Sequence, residues 1–269
     1  METKRLCCWL LALVVALYLV SRMLERVGSG EDPDDYVRLD MGGDCAGYLF
    51  QQTNESDEVA IGCLQKELGR SRRLRRAWGN ANCRTKVAEV SGLRREHLLA
   101  VNAYTQMDFH GVFNQALRKH GANDSTYAKD FPFKCFHYLL SVALERLREN
   151  SHYSCMESFR GMERRALGVN RSEMRFGFFA SSSLRYRIAE HFGGATIFTI
   201  RSQYGVLIQR FSEFPVEEEV LIPPDEVFRI GYPEGSEVDV ILTSRGRQAT
   251  LVKLEEGEDG RIRVARVNS

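Results

Sequence analysis

The chain has 269 residues, of which 43% are hydrophobic and 27% charged, with a formal net charge of +1. These are the proportions of a globular protein able to bury one large core or two smaller ones. The balanced charge offers no global argument for a nucleic-acid partner.

Lys4 and Arg5 precede an uncharged apolar run, Leu6 to Val20, and charge returns at Arg22. A basic region followed by such a run has the form of a secretory signal. As a helix the run rises about 22 Å, short of a hydrocarbon core of ~30 Å, so a span needs Ser21 to Leu24, with Arg22 reaching back to the headgroups. Residues 1–30 are read as a signal peptide or signal anchor, the uncleaved anchor preferred because Gly28-Ser29-Gly30 lies far from the run. The expected location is the secretory pathway, with the body lumenal, extracellular or secreted. The sequons at Asn54, Asn123 and Asn170 agree with that, whereas the C-terminal segment has no apolar tail for a lipid anchor.

Residues 31–35 form an acidic linker, and residues 36–269 form the folded body. Helical periodicity is expected from Asp57 to about Trp78, then over 95–119 and 131–148. Arg70, Arg72, Arg73, Arg75 and Arg76 crowd the end of the first, where a solvated helix end is preferred to an anion patch. Cys135 and His137 lie in the broad apolar stripe of the third and are read as core. Five cysteines follow the leader, an odd number, and none lies beyond Cys155. No metal-ligand spacing is present.

Beyond residue 155 the apolar stretches are short and β-branched: 196–200, 206–211, 220–222, 227–230, 238–242, 250–254 and 262–267, with one helix at 184–192. Helices first and strands after give an α+β fold.

Glycine-rich phosphate loops and the Gly-x-Ser-x-Gly elbow are absent. The segment Phe211-Ser-Glu-Phe-Pro-Val-Glu217-Glu218-Glu219-Val-Leu-Ile-Pro-Pro224 places three carboxylates before a buried strand. If extended throughout, it puts Glu217 and Glu219 on one face. Charge alone would equally suit an acidic strand edge. A second cluster, Arg175-Phe-Gly-Phe-Phe-Ala-Ser181-Ser182-Ser183-Leu, ends in hydroxyls that can cap a helix or face a ligand. A third, Phe159-Arg160-Gly161, holds an arginine that in isolation would be a surface residue.

In this order, the three clusters resemble the vertebrate arginine-specific mono-ADP-ribosyltransferases. Shorter likenesses occur at Ile61-Gly-Cys63, Ala103-Tyr104-Thr105, Val112-Phe-Asn114 and Phe131-Pro-Phe-Lys134, so the resemblance covers Tyr36 to Leu254. It implies a core of two packed mixed or antiparallel sheets, a helical N-terminal region, and NAD as co-substrate bound between the sheets. Arg160 then holds NAD phosphate, Gly161 lets the backbone approach the nicotinamide, and Ser181 orients the ribose and the catalytic glutamate. Glu219 is that glutamate, Glu217 completes the pattern associated with arginine acceptors, and Tyr104 and Ser212 contact NAD. Cleavage of the nicotinamide bond develops an oxocarbenium-like cation that Glu219 can stabilise, and no metal is required. Partners are acceptor proteins with accessible arginines. The resemblance also implies two disulfides with Cys63 and Cys155 as their first halves, whose distal partners are missing, Gln203 standing at one of them. A NAD glycohydrolase and an inactive lumenal module of the same fold are the alternatives.

Overall fold

A computed structural model describes residues 36–38, 47–82, 92–121, 123–167, 172–235 and 239–267. The leader, the linker, Cys45, Cys83 and the sequon asparagine Asn170 lie outside the described residues.

The N-terminal half is helical. Thr53 caps α1 (Asn54–Arg70) by accepting the Ser56 N–H at 3.0 Å, and Glu55 and Asp57 in the first turn suit the helix dipole. The periodicity over 57–78 belongs to two helices. Ser71 is extended (φ −113°, ψ 110°), and its hydroxyl accepts the Leu74 N–H at 3.2 Å to start α2 (Arg72–Asn80). Arg75 turns back to donate to the Leu68 and Gly69 carbonyls, so this arginine satisfies the end of α1. The stretch read as 95–119 likewise divides, into α3 (Arg95–Thr105) and α4 (His110–His120). A short helix, α5 (Asp124–Asp130), was not expected. The side chain of Asn123 caps it by accepting the Thr126 N–H at 2.9 Å.

The buried helix α6 (Lys134–Glu149) is the spine of this half. Phe109, Phe113, Phe131 and Phe136 are buried around it, with Phe109 and Phe136 edge to face at 4.8 Å, a geometry that adds ~1 kcal/mol to area burial. His137 is also packing. Its Nδ1 is 2.8 Å from the Tyr127 hydroxyl, and burial pushes the imidazole down to about 3.

The disulfide expectation is corrected here. Cys63 does have a partner: it bonds to Cys135 across 72 residues, with Cα atoms 6.2 Å apart. α1 lies against the start of α6, so the two cysteines meet through helix packing that sequence spacing does not reveal. One turn along, buried Glu67 accepts the Cys135 and Phe136 N–H groups at 2.9 and 3.1 Å, capping α6 from outside. Burial pushes its carboxyl up to about 7 against these bonds. Cys155 is free and exposed.

The C-terminal half is built of strands. The main sheet contains β3 (Met156–Met162), β5 (Glu173–Met174), β6 (Ala180–Ser183), β7 (Thr196–Ser202), β8 (Val206–Leu207), β9 (Glu219–Ile222), β10 (Glu226–Gly231) and β11 (Asp239–Arg247). Its order is β5-β10-β11-β7-β3-β6-β9-β8, antiparallel except for the β11–β7 pair. A second sheet runs β13 (Ile262–Arg266), β12 (Thr250–Glu256), β2 (Tyr48–Phe50), and β1 (Tyr36–Arg38) pairs with β4 (Arg165–Leu167). The main sheet has a seam: one residue pair, Phe159 with Ser183, joins the β5-β10-β11-β7-β3 half to the β6-β9-β8 half. The α+β expectation is met, with its strands divided at this seam.

The short strands β1, β2, β4 and β5 were not expected, and two further segments also depart from the strand reading. β3 was not expected, because Met-Glu-Ser-Phe-Arg-Gly-Met carries neither β-branched residues nor regular alternation. Of 206–211 only Val206–Leu207 is strand. The chain then turns, with Phe211 and Ser212 N–H groups donating to the Ile208 carbonyl. Met156 pairs with Ser202, so Gln203 follows directly opposite the position of Cys155. No bridge closes that end. Buried Glu226 instead accepts the Ser202 hydroxyl at 2.6 Å and the Gln203 N–H at 2.8 Å.

Candidate active site

The seam gathers the residues singled out in the sequence. β3 and β6 share only the Phe159–Ser183 pair and then part. Across the gap, Arg160 Nη1 donates to the Ser181 carbonyl at 2.6 Å. The guanidinium also stands 5.9 Å from the centre of the Phe178 ring. Ser182 points the other way, bonded to Ser158 Oγ at 2.8 Å and donating to the Val220 carbonyl at 2.9 Å. Of the three serines, the first therefore shares the Arg160 side of β6, and the second belongs to the core.

Glu219 opens β9 opposite Ser183 and is 6% exposed. A carboxylate that dry must be matched by nearby donors or charge. The buried Ser212 hydroxyl lies 3.5 Å from its Oε2 and also accepts the Phe214 N–H at 3.1 Å. Tyr104 is 1% exposed, beneath the same region. Its hydroxyl donates to the Phe179 carbonyl at 2.7 Å and accepts from Asn114 Nδ2 at 2.9 Å and from the Ser181 hydroxyl. Burial, and then the charge of Glu219, push the phenol well above its ordinary range. Tyr104 and Ser212 thus support the site from within.

Gly161 has a reason of its own. A Cβ there would come within 1.9 Å of the Ala189 carbonyl oxygen and 2.3 Å of that of Gly193, where α7 (Tyr186–His191) ends against β3. The close approach that requires glycine here is helix packing.

The expected extended run of three glutamates is corrected. Pro215–Glu217 form a 3-10 turn, and Glu218 is left-handed (φ 45°, ψ 51°). Only Glu219 enters the strand. The alternation that would put Glu217 and Glu219 on one face does not apply, and a tight turn sets their relation. Pro215 at the start of the turn fixes φ and favours this over continued strand.

Sequence reasoning missed the residues that hold this segment. Asn102 Nδ2 donates to the Phe211 carbonyl at 2.7 Å, and Thr105 Oγ1 accepts the Glu213 N–H at 2.9 Å. Both stand at the end of α3, beside Tyr104. Their signal was a polar pair in the apolar stretch that follows Leu98, since buried polar side chains need partners. Ser183 was noted only as one of a run. Its hydroxyl donates to the Glu217 carbonyl at 2.6 Å.

The family described as NAD:arginine ADP-ribosyltransferase matches residues 51–250. Among curated relatives, the erythroblast NAD(P)(+)–arginine ADP-ribosyltransferase of Gallus gallus is 39% identical over 65% of this chain and 58% of that protein. Ecto-ADP-ribosyltransferase 5 of Bos taurus is 40% identical over 65% of this chain and 60% of its own length. NAD(P)(+)–arginine ADP-ribosyltransferase 2 of Gallus gallus is 33% identical over 77% and 74%. The chain therefore spans about three fifths of the first two relatives. Among solved structures, the eucaryotic mono-ADP-ribosyltransferase ART2.2 superposes with a TM-score of 0.66 at 28% identity, covering 79% of this chain and 96% of that one. A variant of the same enzyme in complex with NAD gives 0.66 at 27%, covering 80% and 96%. With its seam, its buried glutamate and a match over most of its length, the chain belongs to the NAD:arginine ADP-ribosyltransferase family.

Proposed function

We propose that this protein cleaves the nicotinamide–ribose bond of NAD and transfers ADP-ribose to arginine side chains of acceptor proteins. One observation carries the reading: Arg160, Ser181 and buried Glu219 converge at the seam, while Glu217 stands one tight turn away. The relatives named as arginine ADP-ribosyltransferases, and the NAD complex of ART2.2, support the substrates.

In this reading Arg160 holds a phosphate of NAD through its forked donors. Ser181 faces the nicotinamide ribose, and Ser212 and Tyr104 fix the ground on which Glu219 and Ser181 stand. As the C–N bond breaks, its electron pair leaves with nicotinamide and positive charge develops on the ribose. Glu219 stabilises that charge, a contribution of about 3 kcal/mol in comparable preorganised sites. The guanidine nitrogen then attacks the ribose carbon, and Glu217 orients it and accepts its proton.

The catalytic domain is assigned to residues 36–269 and the leader to residues 1–30, a signal peptide or signal anchor placing the body outside the cytosol. The names of relatives, one an ecto-enzyme and another GPI-linked, support an extracellular or membrane-attached setting. The sequon asparagines Asn54 and Asn123 are exposed. No helix among the described residues is long and apolar enough to cross a membrane.

The test is full-length protein made in a secretory host, given NAD and agmatine as a small guanidine. ADP-ribosyl-agmatine is the expected product. Nicotinamide release without the adduct would identify a glycohydrolase, and a folded sample without turnover an inactive binding module.

A further inference from the structure

Glu218 is the one non-glycine residue with positive φ among the described residues. A left-handed backbone at a residue with a Cβ is costly, and it persists only where surrounding contacts over-determine it. At this position the contacts come from the segment that follows β6. The Leu184 N–H donates to the Glu218 carbonyl at 3.2 Å. The Ser183 hydroxyl donates to the Glu217 carbonyl at 2.6 Å and accepts the Arg185 N–H at 2.9 Å. The Arg185 guanidinium closes the set by pairing with the Glu218 carboxylate. Three successive residues, 183 to 185, thus grip the two residues that precede Glu219.

We propose that Arg185, through its ion pair with Glu218, is a positioning residue that holds Glu217 in register with Glu219 for the incoming guanidine. The inference rests on the acceptor role given to Glu217. The Leu184 amide and the Ser183 hydroxyl fix the carbonyls of Glu218 and Glu217, and the Arg185 guanidinium adds a side-chain hold on the turn. Glu218 pairs its carboxylate with Arg185, and its left-handed backbone takes it out of the strand alternation that begins at Glu219. Releasing that carboxylate lets Glu218 relax toward an ordinary φ, which swings Glu217 relative to Glu219. Because Glu219 is anchored in β9 with Ser212 beside it, the displacement falls on the acceptor step more than on bond cleavage. The pair is partly open to solvent, the side chains being 59% and 23% exposed, so Arg185 can be replaced without opening the core.

Agmatine transfer and NAD hydrolysis, measured side by side on the full-length protein, test this with Arg185→Met, Arg185→Lys, Glu218→Gln, Glu217→Gln and the Arg185→Met/Glu218→Gln double variant. Expected is a fall in the ratio of transfer to hydrolysis for Arg185→Met of roughly three- to tenfold, expressed mainly in the agmatine KM, with partial recovery in Arg185→Lys. The double variant should fall no further than Arg185→Met alone. An unchanged ratio overturns the proposal, and so does an equal fall of both activities, which marks a merely structural contact. If Glu217→Gln lowers the ratio while Arg185→Met does not, the positioning role fails and the acceptor reading stands. If Glu217→Gln leaves the ratio intact, the acceptor reading fails and takes this proposal with it.

Discussion

Replacing both Cys63 and Cys135 by alanine removes the one bridge between α1 and α6. The bond closes a 72-residue loop. By the chain-entropy relation, restoring that freedom to the unfolded chain costs about 4.4 kcal/mol at 25 °C. For a body of this size each kcal/mol moves the midpoint by about 2–4 °C, so a fall of roughly 9–18 °C is expected. The Glu67 bonds to the Cys135 and Phe136 amides remain and should keep α6 capped. The assay is thermal unfolding of wild type and double variant, each with and without a dithiol reductant. Reduced wild type should melt with the reduced double variant. A shift under about 3 °C in both comparisons would refute the assignment of this bridge as a main constraint on the unfolded chain.

Gly161→Ala should cost about 3 kcal/mol or more, because the new Cβ meets the backbone of Ala189 and Gly193, which cannot step aside as a flexible side chain would. Urea unfolding with a loss below about 1 kcal/mol would contradict that packing. Two buried groups should bend stability against pH in opposite senses. His137 is lowered to about 3, so the stability of keeping it neutral is present above its unfolded value of 6.5 and is lost as pH falls from 6.5 towards 3. Glu67 is raised to about 7, so its contribution is present below its ordinary value of 4.5 and lost as pH rises through 7. Between pH 4.5 and 6.5 the two slopes, each up to about 1.4 kcal/mol per pH unit, oppose one another. Urea midpoints should therefore fall towards acid more steeply in Glu67→Gln than in wild type, and His137→Gln should show the reverse. Parallel profiles would refute both assignments.

Several features of the fold were legible because they are local. Short β-branched runs separated by Pro223-Pro224 and Asp259-Gly260 became β9 to β13, and the apolar stripe from Phe133 became α6. Helix boundaries were less legible. Ser71 divides α1 from α2 by capping the second helix, and periodicity cannot see a cap that lies inside an apparently continuous stripe. The Cys63–Cys135 bond depends on which helices pack together, a property of the whole fold. The site was legible as three ordered motifs. The turn that carries Glu217 was misread as strand because the triplet runs straight into β9, while Pro215 and left-handed Glu218 act first. Asn102, Thr105 and Ser183 were passed over because each acts on backbone distant in sequence, and only the packing of α3 and β6 against the 211–218 segment gives them partners.

The most direct test of the account is Glu219→Gln, measured as nicotinamide release and agmatine modification at saturating NAD. Glutamine keeps the size and a hydrogen-bond acceptor beside Ser212 but removes the charge that meets the developing cation. The account predicts that kcat falls by about 10²–10³-fold for both readouts, with a small change in the KM for NAD and an unfolding midpoint close to wild type. A folded variant retaining both activities within about tenfold would contradict the role of Glu219 and the proposed mechanism with it.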